Sequence, residues 1–460
     1  MAFSILLPEN VKRIIRTLET AGFEAYAVGG CVRDALLDRV PQDWDITTSA
    51  LPEEVKGLFP RTVDTGIEHG TVTIMRGQEG YEVTTYRIDG KYEDCRHPDS
   101  VTFTRSLKED LLRRDFTINA MAYNESTGLV DLFGGIVDLQ AGIIRAVGNP
   151  TERFSEDALR ILRAVRFAAQ LGFTIEPETK QAMKTLSGNL KVVSAERIRE
   201  ELTKLLASEH PEELFEAQSL GITTDWLPEW DLMCETPQEN VHHIHDVAHH
   251  TMETIRGVHR TEEYRNASPK EQAMLNYTML LHDCAKPQCK TYGEDGQAHF
   301  KGHAKPGAEL AREVLRRLKC DNETLDSCTK LIGYHDTLYR RRGEEPEVTV
   351  RFLMNRIGTE RMPFLFAVFT ADAGAKAPQY LAGCTRRIDM LREAYRKVVS
   401  EGHCVNLKML AVNGADLMEL GFPAGPELGK ILQSLLEDVL ECPAHNTKEY
   451  LLKKAVSEKE

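Results

Sequence analysis

A glycine pair, an arginine and two alternating carboxylates stand close together near the start of the chain, in the segments Val28-Gly29-Gly30-Cys31-Val32-Arg33-Asp34 and Asp43-Trp44-Asp45. If residues 44–47 open a strand, Asp43 and Asp45 point to the same face, because side chains repeat every two residues along a strand. Two neighbouring carboxylates repel each other unless a cation lies between them, and Mg²⁺ prefers such oxygen ligands together with substrate phosphates. Glycine also lets the backbone approach a phosphate closely. The pattern therefore predicts a site for Mg²⁺ and a triphosphate, and favours phosphoryl or nucleotidyl transfer.

The periodicity of apolar residues predicts the elements that must hold these groups. It indicates a helix at 9–21, a strand at 24–28, a helix at 32–37, and strands at 71–76, 81–87, 101–104 and 129–133. The first 150 residues thus read as a mixed α+β domain. From about residue 153 helical spacing dominates, with Ser155 as a predicted N-cap and another helix at 195–206. Linkers are predicted at 226–240 and 343–346.

The composition sets broad limits on the class of protein. A chain of 460 residues, 42% hydrophobic and 28% charged, suits a soluble protein of two to four domains. Its apolar runs fall far short of the ~20 residues of a membrane helix. The N-terminus has no basic region or cleavage signature, so no signal peptide is expected, and the ten cysteines are expected to be reduced thiols in the cytoplasm.

The net charge of −14 argues against a protein that coats nucleic acid in general. It does not exclude RNA as a substrate, because local basic clusters could contact phosphate within an acidic whole. These clusters are Arg113-Arg114, the set Arg160, Arg163 and Arg166, and Arg340-Arg341-Arg342.

Five ordered motifs in the first 205 residues resemble those of the class II tRNA nucleotidyltransferases, the CCA-adding enzymes, and of bacterial poly(A) polymerases. The motifs are VGGCVRDALLDRVPQDWDITTSA, EVTTYRIDGKYEDCRHPDSVTF, DLLRRDFTINAMAY, DLFGGIVDL and SEDALRILRAVRFAAQLGF. The resemblance implies an α+β, polymerase-β-like nucleotidyltransferase head, followed by an all-α neck, a helical body and a helical tail.

By this resemblance, Asp43 and Asp45 would hold Mg²⁺ for transfer of CTP or ATP to the 3′ end of a tRNA, while Gly29, Gly30 and Arg33 would cradle the triphosphate. Glu82 is the candidate for a third carboxylate; the alternative is an ordinary exposed strand residue.

Arg113, Arg114 and Asp115 resemble the ribose-reading motif of the family, and Asn119 lies in the same nucleotide-binding stretch. The alternative for the first three is an Arg–Asp helix cap. The segment from Asp131 to Asp138 matches the loop that changes position between C and A addition.

Asp157 and Arg160 lie three residues apart, so on one helix they would share a face. A carboxylate and a guanidinium can together match the Watson–Crick edge of a base, and the resemblance favours this reading. The alternative is a salt bridge between the two side chains. Arg163 is expected to support the pair and to contact phosphate.

The second half of the chain is rich in histidine and resembles the HD superfamily of metal-dependent phosphohydrolases. On that pattern His250, His282, Asp283 and Asp372 would bind a first metal, and His303 and His335 a second metal or a phosphate. Imidazole and carboxylate together suit a transition-metal ion. The alternative is that these histidines are structural.

The sequence therefore predicts addition of CCA to tRNA from CTP and ATP, with possible hydrolysis at an HD-type site. Alternatives are CC-adding, A-adding or poly(A) polymerase activity, an HD phosphohydrolase with a nucleotide-sensing head, and an RNA-binding protein without catalysis. The predicted domains are 1–150, a nucleotidyltransferase head; 151–230, a neck; 231–385, an HD-type body; and 386–460, a tail that contacts tRNA. No membrane partner is expected.

Overall fold

The computed structural model describes residues 4–90, 101–241, 244–339 and 345–457. The chain divides into two compact units, Met1–Trp226 and Leu227–Glu460. The predicted basic cluster at 340–342, residues 343–344 of the second predicted linker, and His242 and His243 lie outside the described residues. Within the described ranges, no helix combines the length and the apolar composition that a membrane crossing requires.

The first unit combines a mixed sheet with helices. Its strands are β1 Ala25–Val28, β2 Ile46–Thr48, β3 Thr62–Gly66, β4 Thr71–Arg76, β5 Glu79–Thr85, β6 Arg87–Asp89, β7 Val101–Phe103, β8 Met121–Asn124, β9 Gly128–Asp131, β10 Ile143–Ile144 and β11 Thr174–Ile175. Its helices are α1 Glu9–Thr20, α2 Gly30–Leu36, α3 Pro52–Leu58, α4 Leu107–Leu112, α5 Gly135–Ala141, α6 Pro150–Glu156, α7 Leu159–Leu171, α8 Pro177–Leu186, α9 Ala195–Leu206 and α10 Glu213–Ser219.

The strands of the main sheet follow the order β3-β4-β5-β2-β1-β8-β9. The central strand β1 is buried along its whole length and runs antiparallel to β2 and β8, whereas β2 runs parallel to β5. The N–H of Val28 donates to the carbonyl of Asp45 over 3.0 Å, which closes β1 against the residue just before β2. This bond brings the Gly29-Gly30 turn and Asp45 to one edge of the sheet.

The strand after the two aspartates begins later than the sequence predicts. β2 starts at Ile46, so residues 43–45 form an extended approach to the strand and do not lie within it. The reason is that pairing with β1 is regular only from Ile46, opposite Ala27.

The helix predicted to begin at Ser155 is also placed differently. α6 starts at Pro150 and is capped by Asn149, whose side chain accepts from the N–H of Thr151. Ser155 lies inside that helix and donates to the carbonyl of Thr151, so its prediction as an N-cap was wrong. Asn149 and Pro150 supply an earlier helix start than Ser155. Helix α6 then ends at Glu156, and the extended backbone of Asp157 separates it from α7.

The second unit is mainly helical. Its helices are α11 Pro228–Cys234, α12 Val247–His259, α13 Glu262–Asn266, α14 Pro269–Leu281, α15 Lys286–Cys289, α16 Ala304–Arg317, α17 Asn322–Tyr334, α18 Pro346–Ile357, α19 Met362–Gly374, α20 Pro378–Ser400, α21 Gly414–Glu419, α22 Pro426–Glu441 and α23 Lys448–Ser457. The strands β12 Thr291–Tyr292 and β13 Ala298–His299 form a short antiparallel hairpin.

Part of the predicted linker at 226–240 is helical. Pro228 stands in the first turn of α11, where its missing N–H costs nothing, and Trp230 and Met233 are buried. Apolar residues three apart on a helix share one face, so this segment packs as part of the core.

The order of an α+β unit followed by helices confirms the predicted fold class. The predicted domain boundaries near 230 and 385 fall inside α11 and α20.

Candidate functional site

The first candidate site, here called the carboxylate site, consists of Asp43, Asp45 and Glu82. Asp43 and Asp45 are exposed just before β2, and Glu82 is exposed within β5, whose Val83 pairs with Ile46. Although Asp45 is in contact with solvent, the surrounding protein removes part of its hydration, and this desolvation raises the pKa of its carboxyl above the ordinary value. The Arg114 guanidinium opposes this shift, and the charges of Glu82 and Asp43 raise the pKa further. Such mutual repulsion is relieved by a bound cation, which fits the predicted Mg²⁺.

The glycine pair lies against an arginine at the edge of this site. Gly29 has a φ of +83°, and a Cβ there would approach Nη1 of Arg114 to 3.0 Å. Nε of Arg114 is buried without a hydrogen-bond partner in the described part of the chain. A side chain at position 29 would therefore be strained and would crowd a guanidinium that has a donor left for an anion.

Asp110 positions both arginines of the predicted ribose-reading motif. This fully buried carboxylate accepts from Arg113 over 2.8 and 3.1 Å, from Arg114 over 3.4 Å, and from the Thr47 hydroxyl in β2 over 3.1 Å. Burial would raise the pKa of Asp110, but the two guanidinium charges outweigh it and lower the pKa. Sequence reasoning missed this residue, although it lies three and four residues before the two arginines, a spacing that predicts helical contact.

Asp115 lies in a chain of polar contacts that leads back to Arg33. Its Oδ1 accepts from the N–H of Phe116 and from Asn119, and Asn119 in turn accepts from Arg33 over 2.7 Å. Its Oδ2 accepts from Nε and Nη2 of Arg163 over 2.8 and 2.6 Å. Burial would raise the pKa of Asp115, but Arg163 outweighs it and holds the pKa far below the ordinary value.

These contacts exclude one of the two readings of Asp115, and the ribose-reading role stays a prediction. Its main charge partner comes from α7, so the alternative of a local Arg–Asp helix cap is wrong. An ionised carboxylate has about four acceptor positions. Protein donors fill all of them here, so a ribose hydroxyl could bind Asp115 only where one of these donors turns away.

Asp157 and Arg160 are held separately. Asp157, in the break between α6 and α7, accepts two bonds from Arg197 of α9 over 3.2 and 2.7 Å. Arg160 donates to Glu156 and to the carbonyl of Arg113 over 2.7 and 2.8 Å. Because the two side chains do not pair, the alternative of a salt bridge between them was wrong. The assumption that they share one helix was also wrong, and Arg197 had no signal in the sequence.

The predicted loop from Asp131 to Asp138 consists of a short turn after β9 and the first residues of α5. Asp131 accepts from the N–H groups of Gly135 and Ile136 over 2.8 and 3.0 Å, which starts α5. Asp138 accepts from Thr117 and Arg145. A Cβ at Gly135 would lie 2.4 Å from the carbonyl oxygen of Thr117, so only glycine fits there.

The second candidate site, here called the histidine cluster, consists of His250, His282, Asp283, His303, His335 and Asp372. Its residues come from five separate segments: α12, the end of α14, the start of α16, the end of α17, and α19. Two groups each have ligand atoms within 4.8 Å of one another, namely His250, His282 and Asp372, and Asp283, His303 and His335. The structure thus brings together all six residues that the sequence proposed, whereas His249 is exposed and bonds to Asp246.

All four histidines of the cluster share one orientation. Each places Nδ1 near a backbone carbonyl oxygen, which can only accept, so each Nδ1 carries the proton. The distances are 2.7 Å from His282 to Met279, 2.8 Å from His303 to Phe300, 2.7 Å from His335 to Ile332, and 3.3 Å from His250 to Ala375. The Nε2 lone pairs therefore point inward, the arrangement of metal-binding histidines.

The inward nitrogens stand close to one another. Nε2 of His282 lies 3.4 Å from Nε2 of His250, and Nε2 of His303 lies 3.0 Å from Nε2 of His335. Burial lowers the pKa of His250, which favours the neutral imidazole that binds metals. Two neutral imidazoles with facing lone pairs repel each other, and a cation between them would remove that repulsion.

Asp283 lies between the two groups. Its Oδ1 is 3.2 Å from Nε2 of His303, and its Oδ2 is 3.2 Å from Nε2 of His282 and 2.7 Å from Nζ of Lys286. Oδ2 is buried, yet among the described residues no contact to it has the angles of a hydrogen bond. A buried carboxylate oxygen without a hydrogen-bond partner is suited to act as a ligand of a metal ion.

Comparison with known proteins identifies the family of this chain. Three family models match: "Poly A polymerase head domain" at 25–145, "Probable RNA and SrmB- binding site of polymerase A" at 172–233, and "tRNA nucleotidyltransferase domain 2 putative" at 303–455. A crystal structure of Bacillus stearothermophilus CCA-adding enzyme in complex with CTP is 31% identical, with a TM-score of 0.71 over 99% of this chain and 98% of that one. This chain belongs to the CCA-adding enzyme family.

Other CCA-adding enzymes match over different lengths. The enzyme of Lactiplantibacillus plantarum is 59% identical over 203 residues, which are 44% of this chain and 50% of that protein. The chain thus spans about half the length of the curated relatives that it matches. A Thermotoga maritima CCA-adding enzyme complexed with tRNA is 22% identical with a TM-score of 0.59, a likeness of fold alone.

The assignment of residues 231–385 to an HD-type body stays a prediction.

Proposed function

We propose that this protein adds CCA to the 3′ end of tRNA from CTP and ATP. The main support is that Asp43, Asp45 and Glu82 lie close to the Gly29 turn and Arg114 at one edge of the sheet. The membership of this chain in the CCA-adding family supports the same function. In each step the 3′-hydroxyl oxygen of the tRNA bonds to the α-phosphorus of the nucleotide. The bond from that phosphorus to the bridging oxygen breaks, and pyrophosphate leaves as the hydroxyl gives up its proton.

The three carboxylates would hold Mg²⁺, which when bound supplies positive charge to the attacking and leaving oxygens. Gly29, Gly30 and Arg33 would surround the triphosphate, with the Arg113–Asp115 segment and Asn119 at the ribose. Asp157 and Arg160, supported by Arg163, would read the base. Because Arg197 already fixes the Asp157 carboxylate, the shape of the base pocket would be set before the nucleotide enters.

The test is incorporation of labelled CTP and ATP into a tRNA that lacks its CCA end. We expect two C and one A, and loss of both in the Asp45→Ala variant. Addition of only C, only A or a long A tail would instead assign the protein to the CC-adding, A-adding or poly(A)-polymerase relatives. No incorporation by the wild type would overturn the proposal.

We also propose a metal-dependent phosphohydrolase activity at the histidine cluster. The common orientation of its four histidines supports this second function. His250, His282 and Asp372 would hold one ion, and Asp283, His303 and His335 a second. A transition-metal ion bound there would supply a Lewis acid for attack of water on phosphorus.

Metal content and hydrolysis of bis-p-nitrophenyl phosphate test this second function. We expect Mn²⁺ or Ni²⁺ to bind and support hydrolysis in the wild type and in Asp45→Ala, but not in His282→Ala. A wild type that binds neither ion would contradict the proposal.

The four-part division at 1–150, 151–230, 231–385 and 386–460, with tRNA contact in the last part, is retained as a proposal. Since tRNA, CTP and ATP are the proposed partners, we also propose that the protein acts in the cytoplasm.

A further inference from the structure

A cavity of about 810 Å³ opens onto the histidine cluster within the second unit. On one side it reaches Asp283, His303, His335 and Asp372. A space of this size matches sites for nucleotide-sized ligands, which are typically about 300–1,000 Å³. The cluster therefore faces a chamber that is larger than two metal ions require.

The two carboxylates of the histidine cluster are balanced by lysines only while no divalent ion is present. The cluster holds two carboxylates, Asp283 and Asp372, and each is paired with a lysine, Lys286 and Lys376. One bound divalent ion would leave two surplus positive charges, and two ions would leave four. An uncompensated buried charge is costly, so a loaded site calls for an anionic ligand.

The two lysines differ in how firmly they are held. Lys286 is 4% exposed, and its Nζ donates to the Gln238 side chain over 2.7 Å in addition to its contact with Asp283. Nζ of Lys376 lies 2.5 Å from Oδ2 of Asp372, and its side chain is 25% exposed. Asp372 is its sole acceptor in the described part of the chain. Lys376 can therefore turn away from its carboxylate, whereas Lys286 is fixed by a second partner.

Helix α20 forms another wall of the chamber. Gln379, Ala382, Gly383 and Arg386 follow the spacing of one helical face and line the cavity. A Cβ added at Gly383 would meet no atom within 4 Å, so this wall is open at its centre. Arg386 is exposed at the same face and donates from Nε to the carbonyl of Ala382, which leaves its terminal nitrogens directed to solvent or ligand.

We infer that Lys376 is the phosphate-binding residue of this chamber. Its ammonium group leaves Asp372 when that carboxylate binds a divalent ion, and it then binds the phosphate of a nucleotide-sized phosphoester. Arg386 lies at the rim of the chamber and contacts the same ligand. The inference rests on the metal-dependent function proposed for the histidine cluster. In the hydrolysis, the oxygen of water bonds to phosphorus and the bond from phosphorus to the ester oxygen breaks. The leaving oxygen takes a proton from the water, so the products are an alcohol and a phosphate.

Lys376→Met tests whether Lys376 moves from Asp372 to the phosphate, by two measurements besides activity. Calorimetric titration with Mn²⁺ should show tighter binding than in the wild type, because the competing ammonium is gone. Inhibition of hydrolysis by inorganic phosphate should weaken by about tenfold or more, the effect of losing one charge-assisted hydrogen bond. KM for p-nitrophenyl phosphate should rise more than kcat falls, and Lys376→Arg should restore phosphate binding.

Lys330→Met is the matched control, because Lys330 forms a similar i,i+4 ion pair with Asp326 over 2.9 Å outside the chamber. It should change none of these values. Unchanged Mn²⁺ affinity and unchanged phosphate inhibition in Lys376→Met would overturn the role of Lys376 alone. Absence of both Mn²⁺ and Ni²⁺ binding in the wild type would overturn the histidine-cluster function together with this inference.

Gly383→Leu tests the chamber itself. The new side chain would project into open space and should obstruct a nucleotide-sized phosphoester such as 2′,3′-cyclic AMP while leaving Mn²⁺ affinity unchanged. Gly429→Leu is its control, since Gly429 is also an exposed helical glycine with no atom within 4 Å of an added Cβ. Equal hydrolysis of the cyclic nucleotide by both variants would show that the ligand does not occupy the chamber.

Discussion

The carboxylate site and the histidine cluster are built in opposite ways. At the carboxylate site the proposed metal ligands are exposed, and the surrounding arginines are fixed by buried acids such as Asp110 and Asp115. In the histidine cluster five of the six ligands are buried and His303 is half-buried, and each imidazole is fixed by a backbone carbonyl. The first arrangement suits an ion that arrives with a nucleotide, whereas the second suits an ion that binds without a substrate. Rigidly held metal ligands therefore indicate an ion that stays bound to the protein, whereas exposed metal ligands indicate an ion that comes and goes with the substrate.

The largest effect is expected from Asp45→Ala. Nucleotide incorporation should fall by at least about 10³-fold, because the charge that holds the transferring metal is lost. Metal bound by the histidine cluster should stay the same. Asp64→Ala, which removes an exposed acid of the same unit that pairs with Lys56, should retain full incorporation. A parallel loss of metal from the second unit would break the distinction between the two sites.

His282→Ala should produce the reverse pattern. Mn²⁺ affinity should fall by more than about 10²-fold, since the loss of even an outer partner of a metal ligand costs about 10–100-fold. Incorporation of CTP and ATP should persist. Because His282 is fully buried, His303→Ala provides a second, less buried variant, and His445→Ala a control outside the cluster. Retained affinity in both cluster variants would contradict the assignment of ligands.

Asp115→Asn should reduce the preference for CTP over dCTP by about tenfold, the effect expected from losing a charged acceptor. Single-turnover incorporation of both nucleotides measures this ratio. Asp138→Asn is the control, because Asp138 is also a buried acid bonded to an arginine. Equal losses for CTP and dCTP in Asp115→Asn would mean that Asp115 only positions Arg163.

The smallest effect is expected from Asp321→Ala, which removes the N-cap of α17, the helix whose C-cap is His335. The free energy of unfolding should fall by about 1 kcal/mol near neutral pH. Burial would raise the pKa of Asp321, but bonds from Thr324 and Lys270 lower it from 3.8 to about 2. Because the folded pKa is the lower one, the stabilisation is present above 3.8 and is lost as pH falls towards 2.

Thermal unfolding of both proteins across this range checks the prediction. The difference in Tm should be constant near neutral pH and should narrow in acid. A constant difference down to pH 2 would show that ionisation of Asp321 contributes nothing.

Local patterns in the sequence predicted much of the first unit but misplaced its boundaries. The strand at 71–76 is confirmed, because alternation and turn residues are local properties. Ser155 was misread because Asn149 and Pro150 begin the helix six residues earlier. Asp110 could have been found from its i,i+3 and i,i+4 spacing to Arg113 and Arg114. Arg197 contacts Asp157 across 40 residues of sequence, so no spacing in the chain could identify it.

The histidine cluster shows that periodicity cannot group residues that lie far apart in the sequence. Its six residues span from 250 to 372, and no periodicity links α12 with α19. Resemblance to a known pattern grouped them, and the structure brings their ligand atoms together. The role inferred for Lys376 depends on the cavity, which a sequence does not display.

The position of Asp283 between the two groups has a thermodynamic consequence. Since Oδ1 of Asp283 faces His303 and His335 while Oδ2 faces His282 and His250, an ion at one position would alter the carboxylate available to the other. The two occupancies would then be linked, and by reciprocity each ion would change the affinity of its neighbour by the same factor. The protein with one bound ion would then differ in metal affinity from both the empty and the fully loaded protein. The shape of a metal-titration curve, more than its midpoint, would report how strongly Asp283 couples the two metal positions.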